Sequence, residues 1–194
     1  MTLILTICTF ALAMSISPGP VNIITLSSGA NHGFWRTLPF VSGATIGFTA
    51  LLFFLGIGAV ELIQLYPTAM KAIGYLGTTF ILYMAFKIFT SHGTLSIEDI
   101  KTPKFHEGAL LQWLNPKAWI ACVSGITAFT TKGEFSSLAL FCGLFFIMCY
   151  VSIAFWAVLG SKAQHFLRTN KQQRTFNTVM STGLTLVAVY LFMV

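Results

Sequence analysis

The sequence is short of charge. Of its 194 residues only 5 are acidic and 11 are Lys or Arg, 8% in all, against roughly 25% in a soluble domain. That is too little to coat a water-facing surface, and it excludes an ordinary soluble fold. Paired cysteines are missing too. Cys8, Cys122, Cys142 and Cys149 stand inside apolar runs, with no C-x-x-C and no metal-ligand spacing, so they read as small buried apolar side chains. There is no G-x-S-x-G, and all four histidines fall in loops or at the ends of runs. The nucleophile, base and orienting group of an enzyme are therefore not assembled, and the chain is expected not to be one. No basic patch interleaved with aromatics occurs either. The net charge of +6 comes from short stretches between apolar runs, a pattern of membrane orientation rather than of nucleic-acid binding.

What the chain has in abundance is apolar residues, 56% of the total. Six stretches approach the ~20 residues that span a bilayer: Leu3–Ser28, Pro39–Leu62, Ala69–Phe89, Ala109–Phe129, Ser137–Leu159 and Phe176–Val194. The fold expected is an all-α integral membrane protein of six transmembrane helices. Ala11-Leu12-Ala13 resembles a signal-peptidase site, but no basic n-region precedes it and the apolar character continues beyond, so the first span is expected to be retained. Arg36, then Lys87, Lys101 and Lys104, then Lys162, Arg168, Lys171 and Arg174 lie at odd-numbered loops, whereas Lys71 and Lys132 lie opposite. The positive-inside rule places the odd loops in the cytoplasm and both termini outside.

Two proline breaks interrupt this plan. Ser17-Pro18-Gly19-Pro20-Val21-Asn22 lies in the first stretch and Asn115-Pro116-Lys117-Ala118 in the fourth. Proline has no N–H to give a helix, so Pro18 and Pro20 free the carbonyls of Met14 and Ile16, and Pro116 frees that of Gln112. Residues before proline are pushed out of α geometry as well. The offset between the breaks is close to half the chain. Three spans per half then implies two inverted repeats, 1–90 and 109–194, joined by a cytoplasmic linker over 91–108. Breaks at matching places are the sequence pointer to a transporter's substrate site.

A helix broken in mid-membrane offers free amides at one end and free carbonyls at the other. The amides of Val21 and Asn22, and those of Lys117 and Ala118, are predicted to bind a carboxylate. The carbonyls near Met14, Ile16 and Gln112 are predicted to accept from an ammonium, so a zwitterion fits. Asn22 and Asn115 either contact that substrate or repair loosened backbone. Lys117 is the one charge placed well inside a span, and an intramembrane Lys marks a function by default. It is the coupling candidate: a buried lysine can give up its proton and rebind it when a carboxylate arrives. Thr45 and Thr49 read as small polar packing residues, and Gly43-x-x-x-Gly47 and Gly74-x-x-Gly77 as close helix contacts.

Ser17-Pro18-Gly19-Pro20, Gly43-x-x-x-Gly47, and Phe105-x-x-Gly108 leading to Asn115-Pro116-Lys117-Ala118 together resemble the LysE/RhtB family of amino-acid exporters. Asn22-Ile23-Ile24-Thr25-Leu26-Ser27-Ser28 with His32-Gly33-Phe34 resembles its cysteine and O-acetylserine branch. The resemblance implies efflux of an amino acid or close derivative across the bacterial inner membrane by proton antiport. Its partners are then the amino acid, protons and membrane lipid, with no cofactor and no metal. Ser17, Pro18, Gly19, Pro20, Asn22, Asn115, Pro116 and Lys117 are the expected substrate-binding residues. Assembly into a homo-oligomer is left open. The alternatives are a divalent metal-ion effluxer of related architecture, which would want facing thiolate, imidazole or carboxylate ligands, and an intramembrane enzyme.

Overall fold

The structure, a computed structural model, describes residues 2–59, 67–90, 102–131, 133–167 and 169–193. These are helical, with no strand among the described residues: α1 (Thr2–Ile16), α2 (Pro20–His32), α3 (Phe34–Phe54), α4 (Pro67–Phe89), α5 (Phe105–Trp113), α6 (Pro116–Phe129), α7 (Phe135–Gln164) and α8 (Asn170–Met193). A π-helical turn, Leu55–Ala59, closes α3 and is ended by Gly58 at φ 118°, a backbone angle that glycine alone adopts freely. Glu61, the linker residues 91–101 and the basic residues Lys132 and Arg168 lie outside the described residues.

Both expected breaks are present. α1 stops at Ile16 and α2 starts at Pro20, with a bend of 64° between them. α5 stops at Trp113 and α6 starts at Pro116. Proline opens each second half because the first position of a helix needs no N–H partner. α3, α4, α7 and α8 are each long and apolar enough to cross a membrane, and α1 with α2 makes a fifth such unit as a bent pair. The protein is thus a multi-pass α-helical membrane protein. Its exposed side chains include Leu5, Trp35, Phe86, Ile120, Phe155, Leu186 and Phe192, an apolar surface that suits lipid rather than water.

Several boundaries differ from the sequence reading. α3 begins at Phe34, so Pro39 stands inside it and leaves the Trp35 carbonyl without its usual helical donor. α5 begins at Phe105, so the end of the expected linker is helical. The Lys-Gln-Gln-Arg stretch forms the first turn of α8. Glu107, read as a loop acid, is buried on α5. Its carboxylate accepts from Lys87 Nζ of α4 at 2.8 and 3.1 Å and from the Lys104 amide at 2.7 Å.

The 30-residue α7 is the central post, packed on α1, α2 and α3, while α3 packs on α5 and α4 on α8. Glycine sets the closest crossings. A Cβ on Gly43 would overlap the Phe105 carbonyl, and one on Gly108 the Phe40 carbonyl, so α3 and α5 meet backbone to backbone. Gly29 against Ala157 and Gly160 against Leu26 do the same for α2 and α7. Without a hydrophobic drive between helices in lipid, such small-residue contact is what holds them. Around Phe145 the packing is aromatic instead: its ring stacks on Phe48 at 4.5 Å and meets Phe141 at 5.7 Å and Phe10 at 6.3 Å.

Candidate functional site

The two breaks meet. Lys117, the second residue of α6, reaches across to the end of α1, where its Nζ donates to Ser17 Oγ at 2.7 Å and to the Ser17 carbonyl at 3.1 Å. Partial negative charge gathers at a helix C-terminus, so an ammonium is electrostatically well placed there. Gly19 leaves the passage open: a Cβ on it would stand 3.3 Å from Lys117 Nζ. Its extended backbone would suit any residue, so the need there is for space.

Behind this contact lies a cavity. Gly19, Pro20, Asn22, Asn115 and Lys117 line it, with Met14, Ser15, Phe48, Phe145 and Cys149 among the rest of its lining. The space open to the centres of water molecules is about 50 Å³, enough for several waters. Of the eight expected site residues, then, five line the cavity and Ser17 anchors the ammonium at its edge. Pro18, which is exposed, and Pro116 shape the breaks without lining the cavity.

The freed carbonyls of α1, expected to be able to accept from an ammonium, each accept from a protein group. Ser17 Oγ donates to the Met14 carbonyl at 3.2 Å, and Asn22 Nδ2 donates to Ser15 at 2.7 Å and Ser17 at 2.9 Å. The indole of Trp156, from α7, donates to the Ile16 carbonyl at 3.1 Å. At the second break the Gln112 carbonyl accepts from the Asn115 amide at 3.3 Å. In hydrocarbon each such group needs a partner, and the chain supplies one. Asn22 is therefore a brace for the first break.

The two positive ends also differ. Asn115 is the N-cap of α6, and its side chain accepts from the Lys117 amide at 3.1 Å. The Ala118 amide is bonded to the Asn115 carbonyl at 2.9 Å. That end, expected to be open, is closed by its own cap. At α2 the N-cap is Gly19, which has no side chain to offer and makes no side-chain cap bond. The first amides of α2, on Val21 and Asn22, thus begin at the cavity wall beside the Lys117 ammonium. One uncapped helix start and one ammonium on the same cavity make a seat for an anion.

Sequence reasoning missed Ser15, Trp156 and Cys149. A tryptophan in mid-span had a signal, since its N–H needs a partner when buried. Ser15 and Cys149 had none. Among the described residues no three His, Cys, Asp or Glu side chains come together as metal ligands would.

The broken helices, the cavity between them and the apolar exterior define the class: a polytopic membrane protein with a site at discontinuous helices, as in secondary transporters. The chain belongs to the LysE type translocator family, whose family model matches residues 12–194. It is similar to the cysteine/O-acetylserine efflux proteins of Escherichia coli strain K12, Escherichia coli O157:H7 and Shigella sonnei strain Ss046. Each is 26% identical to it over 98% of both chains. No solved structure matches it.

Proposed function

We propose that this protein exports small neutral amino acids, or close derivatives of them, from the bacterial cytoplasm in exchange for protons. The observation that carries this reading is the Lys117 ammonium held on Ser17 at the edge of a cavity, beside the uncapped start of α2. A zwitterion would place its carboxylate on the Val21 and Asn22 amides and its ammonium toward Ser17. Lys117 already occupies that second seat. Cargo ammonium and protonated Lys117 therefore compete for it, and such competition is what antiport requires. Loss of the lysine proton frees Ser17 for cargo on the cytoplasmic side, and its return expels cargo on the other.

The names of the relatives support cysteine and O-acetylserine as first candidates. The matching breaks support two inverted three-helix halves, 1–90 and 109–194, with both termini outside the inner membrane. Vesicles holding the purified protein under an imposed pH gradient, loaded with a panel of amino acids and divalent metals, test the reading. Efflux of neutral amino acids driven by the gradient is expected. Metal efflux alone, or no amino-acid movement, overturns it.

A further inference from the structure

Helical hydroxyls in this protein follow a habit. Thr6, Thr9, Thr25 and Thr49 each donate to the carbonyl four residues back, at 2.8 to 2.9 Å. This back-bonding is how a hydroxyl inside a helix satisfies itself. Among the described residues three buried hydroxyls break the habit and complete no hydrogen bond: those of Ser15, Thr45 and Ser152. They are not scattered. Ser15 on α1 and Thr45 on α3 both approach the Cys149 thiol on α7, a weak partner with which neither completes a hydrogen bond. Ser152 lies three residues on, along the same face of α7. Thr45 and Ser152 are 0% and 1% exposed. Ser15 and Cys149 line the cavity together with Lys117 and the start of α2.

Buried polar atoms left without partners are rare and costly. Of the three, Ser15 is the one that lines the cavity, where its free hydroxyl points to a group that arrives from outside the chain. We propose that Ser15 is a specificity-determining residue that hydrogen-bonds the side chain of the cargo, with Cys149 and Thr45 behind it setting the depth of the pocket. This rests on the amino-acid reading above. With the cargo's backbone charges taken by Ser17 and the first amides of α2, the Ser15 hydroxyl is left for its side chain. Phe48 and Phe145 make the lining apolar elsewhere, and among the described residues no acidic side chain lines the cavity to balance a cationic cargo. The lining thus suits an uncharged side chain that carries a hydroxyl, thiol or ester oxygen. A site built to bond such an atom rejects the analogue lacking it, because its own polar group is then stranded.

Ser15 braces the first break through its backbone carbonyl, so a side-chain change leaves that bond in place. Binding and efflux of serine against alanine, and of threonine against valine, are measured for the intact protein in detergent and in vesicles, alongside Ser15→Ala and Ser15→Cys. The native protein is expected to favour the hydroxylated member of each pair at least tenfold, about 1.4 kcal/mol. Ser15→Ala should bring that ratio to near unity, and the isosteric Ser15→Cys should fall between. Equal loss for both members of each pair, or a native protein indifferent to the hydroxyl, overturns the assignment of Ser15 while the transport reading stands. Failure of the native protein to bind or move any amino acid overturns both.

Discussion

Lys117 carries two jobs on one side chain, and substitution can separate them. Its ammonium fills the seat on Ser17, and its proton decides when the seat is filled. Lys117→Arg keeps a charge that cannot leave at any accessible pH, so the seat stays occupied. Efflux should then be lost at every pH, with the protein folded and inserted. Lys117→Met empties the seat, and counterflow of labelled amino acid should persist without response to a pH gradient. Native rate and native pH profile in Lys117→Met would remove the lysine from the coupling step. Asn22 acts differently, since its amide serves the carbonyls of Ser15 and Ser17. Asn22→Ala strands both at a buried break, and a loss of about 1–3 kcal/mol is expected, read as a lowered midpoint of unfolding in detergent. Asn22→Asp would be no rescue, because a carboxylate cannot donate.

At the scale of the helix, the two breaks look alike in sequence and behave unalike in space. Asn115 caps α6 with its own side chain, while Gly19 leaves α2 open. Asn115→Ala removes the cap, and a loss of about 1 kcal/mol is expected. Gly19→Asn would install a cap where the anion is proposed to sit. It should weaken amino-acid binding, and its Cβ, 3.3 Å from Lys117 Nζ, should crowd that ammonium on Ser17, as isothermal titration alongside thermal melting can establish. The crossings of α3 with α5 and of α2 with α7 depend on absent side chains. Gly43→Ala puts a methyl into the Phe105 carbonyl, and Gly160→Ala puts one into that of Leu26. Each should destabilise by about 1–3 kcal/mol through overpacking. Gly143 has nothing near it, and Gly143→Ala is the neutral control.

Across the whole molecule, the link between α4 and α5 is the half-buried pair Lys87–Glu107, with side chains 21% and 10% exposed. Glu107→Gln leaves Lys87 without its counter-charge and weakens the bond to the Lys104 amide. The single variant should lose more stability than Lys87→Met with Glu107→Gln together, because breaking one side of a buried pair costs more than removing both. A thermal-melt cycle over the four proteins measures the difference. Orientation belongs to this scale as well. Single cysteines added at Thr2 and at Met193 on a cysteine-free background should react with a membrane-impermeant thiol reagent from the periplasmic side. Labelling only after the cells are opened would reverse the proposed topology.

Much of this was legible in the residues because it is local and covalent. Proline has no N–H wherever it stands, so the breaks at Pro18–Pro20 and Pro116 follow from composition and position alone. A chain with 8% charge and long apolar runs must hide its backbone in helices and face lipid. What only the tertiary structure decided is which group answers each freed one. Trp156 reaches Ile16 and Lys117 reaches Ser17 across 140 and 100 residues, Asn115 turns back on its own helix, and Ser15 is left facing Cys149. Partner choice at such separations depends on how α1, α6 and α7 cross, and a hydrogen bond reaching about 3 Å is sensitive to shifts that no periodicity records.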